Sequence, residues 1–215
     1  MTYRRLGDSG LVVSVVGIGG NNFGRNIGLD GTRAVVDAAL DDLVRAGKVR
    51  YLGNSNFTGW QIADADWVAS SNGRSRFISA QNHYSLVERS VETEVVPACE
   101  RFGLGLLPFF PLANGLLTGK YRRGEAPPAG SRLSGGGRYA ARFAAANWDL
   151  IEAIGRYADE RGLSMLQVAI GGLAAQPAVT SVIAGATTPE QVRANAAAGS
   201  WQPTDEDLEV LREIL

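Results

Sequence analysis

The chain has 215 residues, 45% hydrophobic and 20% charged, with a formal net charge of −1. That length suffices for one sizeable domain with its own core, and the near-neutral balance excludes the strongly basic surface of a nucleic-acid or anionic-membrane partner. The single cysteine, Cys99, excludes an intramolecular disulfide and a thiolate metal cluster, and lysine occurs only at Lys48 and Lys120.

In chain order, residues 3–13 hold two short extended runs around Asp8-Ser9-Gly10, a hairpin signal. An apolar run from Val12 to Ile18 ends in glycines and reads as a buried strand stopping in a loop. From about Asp30, Val35, Val36, Ala39, Leu40, Leu43 and Val44 recur at helical spacing until Gly47. Val49–Leu52 then reads as a strand stopping at Gly-Asn-Ser-Asn. The rhythm repeats with a helix over 59–71, a strand over Phe77–Ala80, a helix over 91–102 and a strand over Leu104–Phe110. Residues 119–146, rich in Gly, Arg, Ala and Pro, show no apolar period and read as a long mobile surface loop. Helices follow over 147–161 and 164–175, a strand over Val179–Ile183, a helix over Pro189–Ala198, and a last helix over 203–214 with Thr204 as N-cap and Asp207 three residues on.

Strands alternating with helices predict a parallel α/β sheet of about five βα units, whose ligands bind at the C-terminal strand ends. The segments standing there are Gly53 to Phe57, Gln81 to Leu86, Pro108 to Gly115 and Gly185 to Gln191. Ser55, Asn56 and Gln81 carry donors and acceptors matching a carboxamide, or they cap loops. Phe109 offers a stacking ring, or a core aromatic at a strand end. Thr188 with Pro189 and Gln191 forms a capping-box pattern, read either as a well-capped helix or as a phosphate site at a helix N-terminus. Cys99 reads as a buried structural thiol and His83 as a loop residue or rim contact. Gly115-x-x-x-Gly119-Lys120 is one residue short of a P-loop and lacks its Ser/Thr. No zinc-ligand spacing is present, so no metal is expected. The start has no signal-peptide run, and no stretch of about 18 apolar residues reads as a span, which makes the cytoplasm the default.

Several blocks in one order resemble the aldo-keto reductases. They are Leu6-Gly-x-Ser-Gly-Leu with Val16-Gly-Ile-Gly-Gly, then Arg45-Ala-Gly-Lys-Val-Arg-Tyr-Leu-Gly-Asn-Ser-Asn-Phe, Gln81-Asn-x-Tyr-Ser-Leu, Pro111-Leu-Ala-x-Gly-Leu-Leu-Thr-Gly-Lys-Tyr, and Ile183-Ala-Gly-Ala-Thr-Thr-Pro-Glu-Gln-Val-x-x-Asn. The resemblance implies a (β/α)8 barrel using NADPH to reduce aldehydes and ketones. It implies that Ser55, Asn56 and Gln81 hold the nicotinamide carboxamide and that Phe109 stacks on the ring. It places the pyrophosphate by Leu112 and the loop after it, and the adenosine phosphate among Gly185, Ala186, Thr187, Thr188, Gln191 and Asn195. Gln191 stands where the family often has a basic residue, which leaves NADP against NAD open, with Arg193 as a substitute.

The departure from the family is one of length. A complete barrel of this kind runs to roughly 250 residues. Val35 to Leu40 resembles the family's first barrel helix and Asp41 to Lys48 the end of its fourth, so the resemblance implies a single domain over 1–215 with an internal deletion near 40–41. The fold expected is an incomplete TIM-type barrel of about five parallel strands with an N-terminal β-hairpin. The family's catalytic Asp, Tyr, Lys and His belong to the missing units, so no catalytic residue is assigned and cofactor binding is expected to be weakened or lost. The five staves leave two open edges and an apolar inner face, met by a strained small barrel, an open doubly covered sheet, or self-association through the edges. The functions in view are an impaired oxidoreductase acting on a small-molecule carbonyl, a non-catalytic dinucleotide-binding or interaction protein, and a decayed gene product.

Overall fold

The computed structural model describes residues 3–5, 12–14 and 42–215. Two short strands, β1 (Tyr3–Arg5) and β2 (Val12–Ser14), pair antiparallel in the register Tyr3↔Ser14, as expected of an N-terminal hairpin. Its turn Asp8-Ser9-Gly10, the rest of the Val12–Ile18 run, most of the helix from Asp30 and the join near 40–41 lie outside the described residues. Within the described residues of that stretch, α1 spans Asp42–Arg45 and Gly47, at φ 68°, follows it.

Downstream, β3 (Leu52–Ser55), β4 (Phe77–Gln81) and β5 (Gly105–Leu106) form a parallel sheet in the order β3-β4-β5. Helix α2 (Gly59–Ser71) connects the first pair, and α3 (Val95–Phe102), preceded by a 3-10 turn over Ser90–Glu92, connects the second. Thr58 caps α2 in a reciprocal capping box with Gln61. The ladder continues past β5, because Leu107 N–H donates to Ala80 O at 2.8 Å and Phe109 N–H to Asn82 O at 3.0 Å. A fourth stave over residues 178–183 joins by Leu106 N–H to Ala178 O at 2.7 Å, Thr180 N–H to Leu106 O at 2.9 Å and Ile183 N–H to Pro108 O at 2.9 Å. The described residues thus form an arc of four parallel staves, consistent with an incomplete barrel.

Between β5 and the fourth stave the chain makes 3-10 turns at Ala113–Thr118 and Arg132–Ser134, then α4 (Arg138–Ala144), α5 (Trp148–Glu160) and α6 (Met165–Ala174). Helices α7 (Pro189–Ala198) and α8 (Asp205–Ile214) follow the last stave. Ile151, Ile154, Tyr157 and Ala158 recur at helical spacing on α5 and bury against Val168, Leu117, Leu133 and Leu211. A second core lies between sheet and helices, where Ala80 and Leu106, both fully buried, meet Ile62, Tyr84, Cys99 and Leu173.

Four expectations about elements are corrected. The strand expected at Val49–Leu52 runs from Leu52 to Ser55, because the ladder to β4 fixes it there. Gly53 is no strand stop, since it pairs with Ser79 inside the ladder, where a Cβ on it would lie 2.3 Å from Ser79 Oγ and the hydroxyl would have to turn away. The strand expected at Val179–Ile183 is a run of isolated bridges, Leu106↔Val179 and Phe109↔Ile183, and the strand expected at Leu104–Phe110 is regular only at Gly105–Leu106. Residues 119–146 are not a plain surface loop. Buried Tyr121 accepts the Leu133 N–H at 3.3 Å, Leu133 is buried, and Phe143 on α4 packs edge-on to Trp148 at 5.0 Å.

The face of the arc turned away from the helices also differs from expectation. Leu52, Asn54, Ala80 and Leu106 point to the helices and are buried. By strand alternation Gly53, Ser55, Ser79, Gln81 and Gly105 point the other way, with Thr180 against Gly105. This face was expected to be apolar. In the middle of the sheet it is small and polar, at Gly53, Ser79 and Gly105, while Leu107 and Phe109 continue the Gly105 side and Ile183 is exposed, so it is apolar toward the strand ends.

Candidate functional site

The C-terminal ends of β3 and β4 bring three of the singled-out residues together. Ser55 Oγ donates to the Gln81 carbonyl at 3.1 Å, Asn56 N–H donates to the same oxygen at 2.9 Å, and Asn56 Nδ2 donates to Ser55 Oγ at 3.0 Å. Asn56 reaches this position by a left-handed backbone, φ 59°, which asparagine tolerates better than most residues. The Gln81 side-chain amide makes no hydrogen bond to another described residue and so keeps a donor and an acceptor at the rim. Behind it, Asn82 Nδ2 donates to the Phe57 carbonyl at 3.0 Å and ties the two strand ends together.

On the next stave Phe109 lies almost parallel to His83, with centroids 5.5 Å apart and planes 13° apart, and Phe110 meets both rings edge-on. One face of the expected stacking ring is therefore covered by the protein's own imidazole. Strand spacing held the signal: His83 is two residues past Gln81 and pairs across to Phe109. The His83 pKa is lowered by burial and further by the Arg142 charge, with Glu88 opposing. The neighbouring Tyr84 is buried and its hydroxyl donates to Glu92 Oε1 at 2.7 Å. Burial first, then that carboxylate, push the phenol pKa up. Arg89 grips the same carboxylate with two bonds, 2.8 and 2.7 Å.

The loop after this stave is wound tightly. Phe110, Ala113 and Asn114 all have left-handed φ values, between 47° and 61°. The Leu112 carbonyl accepts from Gly115 N–H at 2.8 Å and Leu117 N–H at 3.3 Å, which fixes the turn that carries Leu112. Asn114 Oδ1 accepts from Arg142 Nη1 of α4 at 3.0 Å. That contact was hidden in the sequence because α4 lies in a glycine- and arginine-rich stretch.

The last group surrounds the N-terminus of α7. Thr188 Oγ1 accepts the Gln191 N–H at 3.3 Å, as its pattern predicts. The return bond is displaced by one residue, since Gln191 Oε1 accepts from Thr187 N–H at 2.7 Å and not from the cap residue itself. Asn195 Nδ2 reaches the Gly185 carbonyl at 3.5 Å. Ala186, Thr187, Thr188, Pro189, Val192 and Arg193 line an open depression of about 530 Å³ here. Val192, one helical turn past Thr188, was not singled out although its spacing puts it on the same face. Arg193 is exposed on this wall and only loosely paired with Glu190 at 3.5 Å. The positive dipole end of α7 and the exposed Arg193 favour an anion in this depression, while the Thr187 and Gln191 N–H groups are already bonded within the cap.

Lys48 follows α1 in the turn before β3, and Lys120 is exposed, its ammonium 5.2 Å from the Tyr121 ring centroid. Among the described residues, no group of His, Cys, Asp and Glu is placed to hold a metal ion, and no helix is long and apolar enough to cross a membrane. Cys99 is fully buried, and burial raises its thiol pKa to about 11, which makes it unreactive.

Comparison with known proteins gives a match of residues 33–215 to a family model described as the aldo/keto reductase family. The chain is 36% identical over 183 residues to the uncharacterized oxidoreductase YrpG of Bacillus subtilis, covering 82% of this chain and 52% of that protein. It is 29% identical over 181 residues to versiconal hemiacetal acetate reductase of Aspergillus parasiticus, covering 84% and 52%, and 35% identical over 157 residues to Protein tas of Escherichia coli, covering 73% and 45%. The chain spans about half the length of the curated relatives it matches.

Proposed function

The chain belongs to the aldo/keto reductase family, and on that premise we propose that it is an oxidoreductase-like protein of that family, built to bind NADP(H) against an aldehyde or ketone and impaired in turnover. The observation that carries this reading is the convergence of Ser55, Asn56 and Gln81 at two adjacent strand ends, with the Gln81 amide uncommitted. In this reading residues 1–215 are one domain with an internal loss near 40–41, working in the cytoplasm.

The residues present fit a dinucleotide. Ser55, Asn56 and Gln81 would hold the carboxamide, and Phe109 would take the ring on the face His83 leaves open. The turn at Leu112 would follow the pyrophosphate. The N-terminal end of α7, with Gly185, Ala186, Thr187, Thr188, Gln191 and Asn195, would hold the adenosine phosphate. Gln191 is neutral and its oxygen is taken by Thr187, so Arg193 is the cation that would favour a 2′-phosphate. Bound there, the cofactor would supply a hydride; the protein must add a proton donor at the carbonyl oxygen.

In this reading no such donor stands among the described residues. The Tyr84 phenol is made less acidic by burial and by Glu92. His83, its pKa lowered from 6.5, is mostly uncharged near neutrality. Tyr139 is the described phenol made more acidic, through the hydrogen bond and charge of Arg138, and it stands on α4 without a lysine partner.

NADPH fluorescence titration with a simple aldehyde assay tests the reading. Saturable NADPH binding is expected, about tenfold weaker in Gln81→Ala, with no measurable turnover. Failure of NADPH to saturate would leave the decayed gene product. Strong turnover that disappears in Tyr139→Phe would overturn the impairment.

A further inference from the structure

Residues 119–146 carry six cations, Lys120, Arg122, Arg123, Arg132, Arg138 and Arg142, against one carboxylate, Glu125. Such an imbalance inside a nearly neutral chain favours a negatively charged partner. Arg123 is spent on Asp149 and Glu152. Among the described residues, Arg132, Arg138 and Arg142 pair with no carboxylate. The three stand together, since the Tyr139 phenol feels first the bond and charge of Arg138 and then the charges of Arg132 and Arg142. Arg142 is the one tied to the strand ends. Its Nη1 donates to Asn114 Oδ1 at 3.0 Å, and the Ala113 N–H, donating to the Phe110 carbonyl at 2.9 Å, turns the Asn114 loop back onto Phe110. A guanidinium has five N–H donors, and this bond uses one. Arg142 is also the cation whose charge acts on His83.

An apolar surface stands beside this cation. His83, Phe109 and Ile183 lie at one level on three neighbouring staves, joined by the bridges His83↔Phe109 and Phe109↔Ile183. Phe110 meets the His83 and Phe109 rings edge-on. Phe110 and Ile183 are 41% and 42% exposed, large side chains left open where a ligand binds in sheets of this kind. Their neighbour Glu88, the acid that also acts on His83, is committed, its Oε1 accepting from Ser90 N–H at 3.3 Å and Ser90 Oγ at 2.6 Å. An open hydrocarbon surface bordered by an uncommitted guanidinium matches a ligand with an apolar body and a carboxylate at one end. The planar fork of arginine takes a carboxylate through two parallel bonds.

We infer that the α4 side of the cleft selects carbonyl compounds that carry a carboxylate, Arg142 gripping the carboxylate while Phe110 and Ile183 hold the apolar body. The carbonyl rests on the oxidoreductase reading above; the carboxylate contact does not. The competing role for Arg142 is the cofactor pyrophosphate, because Asn114 follows Leu112 by two residues.

His83 is the chain's single histidine, so its ring signals in a nuclear magnetic resonance spectrum report on this site alone. The full chain is titrated without cofactor with 4-formylbenzoate and with its methyl ester, which keeps the ring and the aldehyde and removes the charge. Both are expected to move the His83 signals, the carboxylate binding at least about tenfold tighter, as one charge-assisted contact supplies. Arg142→Gln is expected to cost the carboxylate about tenfold and to leave the ester unchanged, which also shows that the site is still folded. Asn114→Asp, a residue that tolerates the left-handed φ of 61° there, gives Arg142 a carboxylate of its own and is expected to abolish the preference equally. Equal affinities for the two ligands, or no movement of His83 by either, overturn the inference. So does a preference that survives either substitution, or a loss of carboxylate and ester together in Arg142→Gln. Arg142→Gln weakening NADPH with the preference intact overturns it in favour of the pyrophosphate role. Failure of NADPH to saturate the parent, read by fluorescence on the same samples, counts against the dinucleotide reading alone.

Discussion

The two faces of the arc obey different packing rules. The outer face presents Leu52, Asn54, Ala80 and Leu106 to α2, α3 and α6, all of them buried. The inner face presents Gly53, Ser55, Ser79, Gln81, Gly105 and Thr180, with Leu107, His83 and Phe109 toward the strand ends, and Ser55 and Thr180 are exposed. The outer face therefore holds the fold by burying hydrocarbon. The inner face is less covered, with Gly53, Ser55 and Thr180 exposed. The difference teaches that a strand's apolar content locates its helix-covered side.

The sharpest way to break this comparison is to shave one residue from each face. Leu106 is wholly buried between sheet and helices. Leu106→Ala is expected to lower stability by about 3 kcal/mol, the usual sum of lost transfer energy and residual cavity. Thr180→Ala on the inner face is expected to change it by less than about 0.5 kcal/mol, as at other exposed positions. Urea melts of both variants at low protein concentration check the pair. Equal losses would mean that the inner face carries as much packing as the outer.

A second substitution has the opposite sign. Asn54 sits on the outer face, buried, and among the described residues neither Oδ1 nor Nδ2 has a hydrogen-bond partner. A buried amide left unpaired costs about 1–3 kcal/mol. Asn54→Leu, a close match in size, is expected to raise the urea midpoint by the equivalent of about 1–2 kcal/mol. A fall instead would show that the amide makes a bond through internal water, and that the outer face is not wholly hydrocarbon-driven.

The same contrast explains what the sequence could and could not disclose. Helices on the outer shell were legible because their periodicity and caps are local: Thr204 with Asp207 is the capping box its spacing predicts, and Gly59–Ser71 matches the expected helix. The singled-out residues at the ends of β3 and β4 also come together, since strand ends need only strand order to be placed. The strand positions were blurred by the inner face. Gly53 and Asn54 look like a loop, yet they lie within β3 because Gly53 pairs with Ser79 inside the ladder. The apolar Val49 lies outside the strand for the same reason, as the ladder and not the hydrophobicity sets the register. The His83 ring over Phe109 was not legible, because it depends on how two staves align. Nor was the order within 119–146, whose anchors Tyr121, Leu133 and Phe143 follow no period and meet only after folding.

The smallest expected effect separates the faces by charge. The inner-face residues Gly53, Ser55, Ser79, Gln81, Gly105 and Thr180 are uncharged and His83 is the ionisable side chain at their strand ends, whereas the outer shell carries paired carboxylates. Asp207 on α8 is its strongest described acid. The Thr204 N–H and then the Tyr157 hydroxyl hold its carboxyl at a pKa of about 2, with Arg161 adding a further bond at 3.1 Å. The folded value lies below the ordinary aspartate value near 3.9. Its stabilisation is therefore complete above about pH 4 and disappears as pH falls through about 2. Because the carboxylate is partly open to water, the contribution is about 1 kcal/mol rather than the full value of the shift. Asp207→Asn should melt earlier than the parent at neutral pH by that amount, and the two curves should converge near pH 2. A gap that persists at pH 2 would mean that the lost contact was packing or capping geometry, and that the charge on the outer shell contributes nothing to holding it.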